Sequence, residues 1–219
     1  MSKVVLFGTG SFAENVYFYL THDSPHEVVA FTVHQANLKE TSFFGLPVVP
    51  FETLTQSHPP AEFKMYVAVG YSKLNTVRTA ICAEARGKGY ELITYISTKA
   101  THWPGLKIGD NCFIFEDNTI QSYVTIGSNN ILWSGNHIGH HTTIGDNNFI
   151  TSHVVISGHC TVGSYNFIGV NATIRDAIRI GDSCIIGAAS VIMRPCRDKE
   201  VYIVRGTPKD DRSSDQIKL

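Results

Sequence analysis

The sequence contains no apolar run near the roughly 18 residues that a membrane-crossing helix needs, and neither sign of charge is in surplus. With 18 Lys and Arg against 19 Asp and Glu, it lacks the basic excess that would draw it to nucleic acid or an anionic membrane. It has five cysteines but no CxxC pair and no zinc-finger spacing. The opening Met-Ser-Lys followed by Val4-Val5-Leu6-Phe7 is broken too soon by Gly8 to serve as a signal peptide, and reads as a first strand. These absences point to a soluble, cytoplasmic protein of one large domain or two small ones.

What is present is a period of six. From residue 108 to residue 197 an aliphatic residue opens every hexad: Ile108, Ile114, Ile120 and onward to Ile186 and Ile192, with Leu132 and Val162 as the only exchanges. Glycine follows it at 109, 127, 139, 145, 163, 169, 181 and 187, and the fifth position is small or weakly polar, as at Cys112, Asn130, Asn148, Val154, Cys160 and Ala172. Six is neither the 3.6 of a helix nor the 2 of a lone strand; it is the signature of a hexapeptide β-solenoid. Three hexads make one triangular coil with the aliphatic residue inward and the glycine easing the corner, so the fifteen hexads predict about five coils. Cys112 and Cys184 then stand four coils apart, about 19 Å at a strand spacing of about 4.8 Å, beyond disulfide reach. With Cys160 they read as small core residues.

Before residue 100 the pattern is strands alternating with helices, which predicts a small parallel α/β sheet. Strands are expected over 4–7, 27–33, 64–69 and 90–96, and helices from 11 to about 20, over 51–56 and over 75–88. Gly8-x-Gly10-Ser11-Phe12-Ala13 after the first strand is a phosphate-turn pattern. A tight turn without a ligand would satisfy the same residues. If a ligand is held there, a mononucleotide or nucleotide-sugar fits better than NAD, since Phe31-Thr32-Val33-His34 stands where NAD binding wants an acid. Gly70 and Tyr71, in the segment Val69 to Asn75 with Arg78, form a second candidate lining.

Five of the ten histidines fall between 137 and 159. His141 and His159 are 18 residues apart, one full coil, at the fourth hexad position. His140 is third in its hexad, and Gly158 stands one coil above it, leaving an open shelf over the imidazole. A neutral imidazole beside a backbone N–H is what acyl transfer needs: a base for the nucleophile's proton and a donor for the oxyanion. His22, His26, His34, His58 and His102 are expected to be solvated.

The Gly-turn α/β segment, the solenoid, Ile138-Gly139-His140-His141-Thr142-Thr143-Ile144-Gly145-Asp146 and the terminal Val201-Tyr202-Ile203-Val204-Arg205-Gly206-Thr207-Pro208 together resemble the bacterial nucleotide-amino-sugar N-acetyltransferases, grouped with sialic-acid O-acetyltransferases. The resemblance implies a Rossmann-like nucleotide-sugar domain over 1–98 and a left-handed parallel β-helix with a closing loop over 99–219. It further implies a homotrimer with acetyl-CoA lying between neighbouring solenoids, and no metal. It puts the base on His140, the N–H donor on Gly158, and the sugar nucleotide beside Gly8 and Gly10. His141 stands where many members carry Asp or Glu, so the carboxylate that orients the base is missing or comes from elsewhere. Phe149 stands where some members have a second histidine. Asn136 and His137 are candidates for the sugar pocket, and His159, Arg205, Gly206 and Lys209 for CoA.

Three other readings compete. One is sugar O-acetylation; another is a non-catalytic sugar-nucleotide sensor. The third is a zinc lyase like the γ-type carbonic anhydrases, whose His-x4-His pair is matched here only by His137-x3-His141 and His153-x5-His159.

Overall fold

A computed structural model describes residues 2–217. It begins with an α/β layer: β1 (Lys3–Phe7), α1 (Ser11–His22), β2 (Glu27–Val33), β3 (Ser42–Phe43), β4 (Leu46–Pro50), α2 (Leu54–Ser57), β5 (Phe63–Val67) and α3 (Thr76–Gly87). The strand order is β3-β4-β2-β1-β5, parallel except for the β3–β4 pair. Alternation along β1 explains its central place. Val4 and Leu6 join one apolar cluster, Val5 and Phe7 the other, and all four are buried.

Two expectations for this layer need correction. Residues 90–96 do not form a strand of this sheet: Leu92 makes a single bridge to Met65, and Tyr95–Ile96 pairs with Phe113–Ile114 in the solenoid. The sheet is extended instead by β4, whose Pro47 and Pro50 obscure it in the sequence. The helix expected over 51–56 is the single turn α2.

From Tyr95 to Tyr202 the chain forms a left-handed parallel β-helix of eighteen two-residue strands, in sheets of seven, six and five. That is six coils rather than five. Rungs at Tyr95–Ile96 and Thr101–His102 precede the aliphatic series, and Val201–Tyr202 follows it. The first coil therefore starts inside the segment expected to end at residue 98. Near the end the coil shortens: Ile180 bridges Cys196 and Ile186 pairs with Tyr202, sixteen residues on instead of eighteen.

The role expected for glycine in the hexad is also corrected. The corner is turned at the fourth position, where Asn111, Asn129, His141, Asn147, His153 and His159 hold φ between 51° and 62°, a region that Asn, Asp and His tolerate best after glycine. The second-position glycine serves close approach. A Cβ on Gly139 would lie 2.4 Å from the Gly158 nitrogen, and one on Gly109 2.5 Å from that of Ser128. Fifth-position asparagines form an internal ladder, with Asn130 Oδ1 accepting from the Asn148 N–H (2.9 Å) and Asn148 Oδ1 from the Asn166 N–H (2.8 Å).

The seven-stranded face carries Phe113, Phe149 and Phe167, and the α/β layer packs there. Phe12 and Tyr19 of α1 meet Phe113 and Phe115 in one apolar cluster spanning both parts. The other two faces pair with no strand of the α/β layer among the described residues, and outward residues such as Thr143, Val155, Thr161 and Val191 are exposed. No helix is long and apolar enough to cross a membrane among the described residues. All five cysteines are free and buried, and burial raises the Cys82 and Cys112 thiols to about 12. Three of the histidines expected to be solvated are partly enclosed: His34 pairs with Glu84 at 2.9 Å, His58 packs on Phe63, and the His26 ring is half-buried.

Polar clasps join the two parts. Asp23, closing α1, accepts hydrogen bonds from the hydroxyls of Tyr95, Ser97 (2.9 Å) and Thr98 and from the Thr98 N–H (2.9 Å). Burial alone would raise the Asp23 carboxyl. The bonds from Thr98, Tyr95 and Ser97 outweigh it and bring the group from 3.8 down to about 2. A carboxyl depressed by folding lends stability above its unfolded value and loses it as the pH falls through the folded one. The midpoint of thermal unfolding should therefore fall more steeply between about pH 4 and pH 2 for the native chain than for Asp23→Asn. Parallel curves across that window would show that the clasp contributes nothing.

Candidate active site

Strand His137–Ile138 belongs to one uncovered face and Thr143–Ile144 to the other, so residues 139–142 form the vertex opposite the aromatic face. Eighteen-residue spacing stacks side chains along this edge. Tyr123, His141 and His159 form a column of rings, 4.6 Å and then 4.9 Å between centroids. The His140 ring stands perpendicular to its neighbours, 5.3 Å from His141 and 4.9 Å from His159. All three histidines are exposed.

His140 is held at three points. Its N–H donates to Gln121 Oε1 (2.9 Å), its carbonyl accepts from the His159 N–H (2.9 Å), and its Nδ1 lies 3.1 Å from His141 Nδ1. One of the two Nδ1 atoms must carry the proton between them. With that proton on His140, its Nε2 is the open lone pair and His141 is the side chain that orients the ring. Above, the ring fills the space left by the missing side chain: a Cβ on Gly158 would sit 2.9 Å from His140 Cε1 and Nε2. The shelf expected to be open is thus occupied by the imidazole itself. Third-position amides do not serve the ladder. Those of Ser128, Asp146 and Ser164 are taken by side chains of the next coil, whereas the Gly158 N–H has no acceptor among the described residues. A base nitrogen and a free amide donor stand side by side.

The three histidines bring one nitrogen each within 4.8 Å of the others, a donor set that suits zinc in kind. Its orientation does not suit it. A metal lies in the plane of each imidazole it binds, and the His141 and His159 planes are within 16° of parallel with centroids 4.9 Å apart. The lone pairs run alongside one another rather than converging.

The sheet order brings the two other candidate segments together. β1 and β5 are neighbours, so Gly8 and Ala68 to Tyr71 share the crevice at their C-terminal ends, where the connections diverge to either side. Gly8 must be glycine: φ is 123°, and a Cβ would lie 2.7 Å from the Ala68 carbonyl oxygen. Gly10 caps α1, and a Cβ there would meet nothing within 4 Å, leaving room above the N–H groups of Ser11 and Phe12. Tyr71 rests on Phe149 and Phe167 (4.9 and 5.1 Å), and Phe12 near Trp133 (6.1 Å). The crevice thus abuts the aromatic face, and the thickness of the solenoid separates it from His140.

Other candidates lie elsewhere. Asn136 is buried, with its amide bound to the Trp133 carbonyl and its oxygen to the Val154 N–H (2.7 Å), so it is a rung of the core and not a pocket residue. Arg78 is also no ligand residue: it is buried and spent on six neutral acceptors. His137 projects from an uncovered face. Arg205, Gly206 and Lys209 lie in the exposed terminal segment, where a Cβ on Gly206 meets nothing. Gln121 and Tyr123 were not singled out from the sequence, although counting back 18 residues from Gly139 and His141 finds both.

The sequence profile of the bacterial transferase hexapeptide (six repeats) matches residues 123–158. No curated protein matches the chain. Among solved structures, PerB from Caulobacter crescentus, in complex with CoA and GDP-perosamine, superposes with a TM-score of 0.80 at 24% identity, covering 92% of this chain and 93% of its own. The acetyltransferase domain of PglB from Neisseria gonorrhoeae FA1090, in complex with acetyl coenzyme A, gives 0.80 at 24%, covering 91% and 94%. WeeI from Acinetobacter baumannii AYE gives 0.76 at 18%, covering 92% and 96%. At these identities the shared property is the fold, over both parts of the chain.

Proposed function

We propose that this chain is an acetyl-CoA-dependent N-acetyltransferase acting on the amino group of a nucleotide-linked deoxyamino sugar, in surface-polysaccharide synthesis. The observation that carries this is the pairing of His140 with the free N–H of Gly158 on an exposed solenoid edge. Support comes from a fold shared over nine-tenths of the chain with PerB and the PglB domain. The sugar's amine attacks the thioester carbonyl while His140 Nε2 takes its proton. The oxygen of the tetrahedral intermediate accepts from Gly158, and the C–S bond then breaks as the imidazolium returns its proton to the departing CoA sulfur. His141 holds the ring, and holding both substrates together supplies much of the rate. His159, Arg205, Gly206 and Lys209 remain the proposed CoA contacts.

A single chain keeps its Gly8–Ala13 turn and its His140 on opposite sides of the solenoid, so a sugar nucleotide held at that turn reaches the histidine of another copy. Two uncovered faces provide the contact, which supports a homotrimer. Five free thiols favour a reducing, cytoplasmic setting.

The test is CoA release, followed with a thiol reagent, from acetyl-CoA plus UDP-, dTDP- and GDP-linked 3- and 4-amino-6-deoxy sugars. Hydroxyl analogues of the same sugars form the control arm. Turnover confined to an amino sugar supports the proposal, and turnover only with the hydroxyl analogues replaces it with O-acetylation. Failure to bind acetyl-CoA overturns it.

A further inference from the structure

Directly below His140, toward the chain's beginning, a cavity of about 510 Å³ opens between the first two coils of the same vertex. Trp103 and Tyr123 frame it, and they are 67% and 77% exposed. Exposed rings of this size are costly to leave in water unless something covers them. Between them lie Lys107, Gln121, Ser122 and Thr125. The cavity is continuous with the histidine edge. Gln121 is the acceptor for the His140 N–H (2.9 Å), and Tyr123 opens the ring column of His141 and His159. The Ser122 carbonyl accepts from the His141 N–H (3.1 Å), which fixes Ser122 one coil below His140, about 4.8 Å away along the axis.

The arrangement around the imidazole has a direction. Gly158, the oxyanion donor, is one coil above His140, so the thioester carbonyl belongs on that side. With the reacting atoms gathered at that end of the imidazole, the rest of the acceptor can extend along the edge toward the chain's beginning, where the cavity lies. Its lining is mixed in the way a sugar ring is mixed. The apolar C–H face of a pyranose packs on an aromatic ring, while its hydroxyls find the amide of Gln121 and the hydroxyls of Ser122 and Thr125. The Lys107 ammonium at the rim suits the diphosphate attached to such a ring.

We infer that the Trp103–Tyr123 cavity is the acceptor subsite, receiving the pyranose ring of a nucleotide-linked amino sugar with its amine toward His140. This rests on the acyl-transfer reading above. It assigns specificity to two aromatic residues on the solenoid, whereas the nucleotide is held at the Gly8–Ala13 turn of another copy.

The experiment compares the native chain with Trp103→Ala and Tyr123→Ala in steady-state kinetics. It also follows tryptophan fluorescence as three ligands are added separately: the amino-sugar nucleotide, its nucleoside diphosphate alone, and CoA. Each substitution should raise KM for the amino-sugar nucleotide about tenfold or more, the order expected for losing one stacked ring. KM for acetyl-CoA should stay within about twofold and the oligomeric state should be retained. The amino-sugar nucleotide should change the fluorescence, the Trp103→Ala variant should lose that change, and the other two ligands should not produce it. A full response to the nucleoside diphosphate, or to CoA, would overturn the assignment in favour of a base or donor pocket. Unchanged acceptor KM in an enzyme that turns over would overturn it directly, and dissociation of the oligomer would make the two rings subunit contacts instead. If neither turnover nor acetyl-CoA binding is found, the acyl-transfer reading itself fails and this inference with it.

Discussion

His140→Asn is expected to lower kcat/KM for acetyl transfer by about 10²–10⁴, the range for removing a positioned general base, while leaving the thermal midpoint unchanged. The side chain is exposed, so little packing is lost, and the backbone bonds to Gln121 and His159 do not involve the imidazole. Asparagine can still reach His141 but cannot take a proton at neutral pH. The companion is Gly158→Ala, which keeps the imidazole but places a methyl group 2.9 Å from two of its ring atoms. The ring must swing out, and a loss of similar size should follow without any change in acetyl-CoA binding. Residual activity within about tenfold of the native chain in His140→Asn would mean that another group is the base. Normal activity in Gly158→Ala would mean that ring and amide are not used together.

Arg78→Met should destabilise the chain by about 3–5 kcal/mol, the usual cost of removing one side of a buried polar cluster. This corresponds to a fall in thermal midpoint on the order of 10 °C for a chain of this size. Arg78 is fully buried on α3. Its Nε donates to Asn129 Oδ1 (2.9 Å). Nη1 donates to the carbonyls of Val69 (3.2 Å) and Gly70 (3.0 Å) and to Asn75 Oδ1 (3.0 Å), and Nη2 to the carbonyls of Asn129 (2.9 Å) and Asn148 (3.4 Å). Burial pushes the guanidinium's pKa down, yet no carboxylate faces it among these partners, so neutral oxygens alone compensate the charge. Methionine fills much of the volume but leaves those oxygens unpaired in a dry interface, which is the costly half of the exchange. Arg78→Lys, keeping the charge with three donors on a point-like head, should recover only part of the loss. A midpoint within about 2 °C of the native value for Arg78→Met would show that the clasp does not hold α3 to the solenoid.

The two predictions differ in how they could be reached. His140 and Gly158 were legible because a solenoid maps sequence distance onto space: 18 residues is one coil, so an imidazole beneath a glycine can be counted off. The same counting would have found Gln121 and Tyr123. Asn136 was misassigned because, in a hexad, the fifth position faces inward whatever its polarity, and the ladder satisfies its amide. The first and last coils were missed for a related reason. Tyr95 and Thr101 begin rungs, but His102 stands where the inward aliphatic residue should be, and the two-residue shortening before Cys196 breaks the count.

The sequence by itself determined the solenoid, the α/β layer before it, the stacking of His141 on His159, and the approach of His140 to Gly158. All of these follow from local periodicity, since each rung pairs with the rung a fixed number of residues away. Tertiary structure alone decided which of the three faces the α/β layer covers. That choice is made by Phe113, Phe115 and Trp133 meeting α1, by Phe149 meeting Tyr71, and by Arg78 finding the carbonyls of one corner. It set the Gly8–Ala13 crevice and the His140 vertex on opposite sides of the solenoid. No repeat encodes that separation, because it depends on contacts between residues 50 or more positions apart whose only common feature is the space they share.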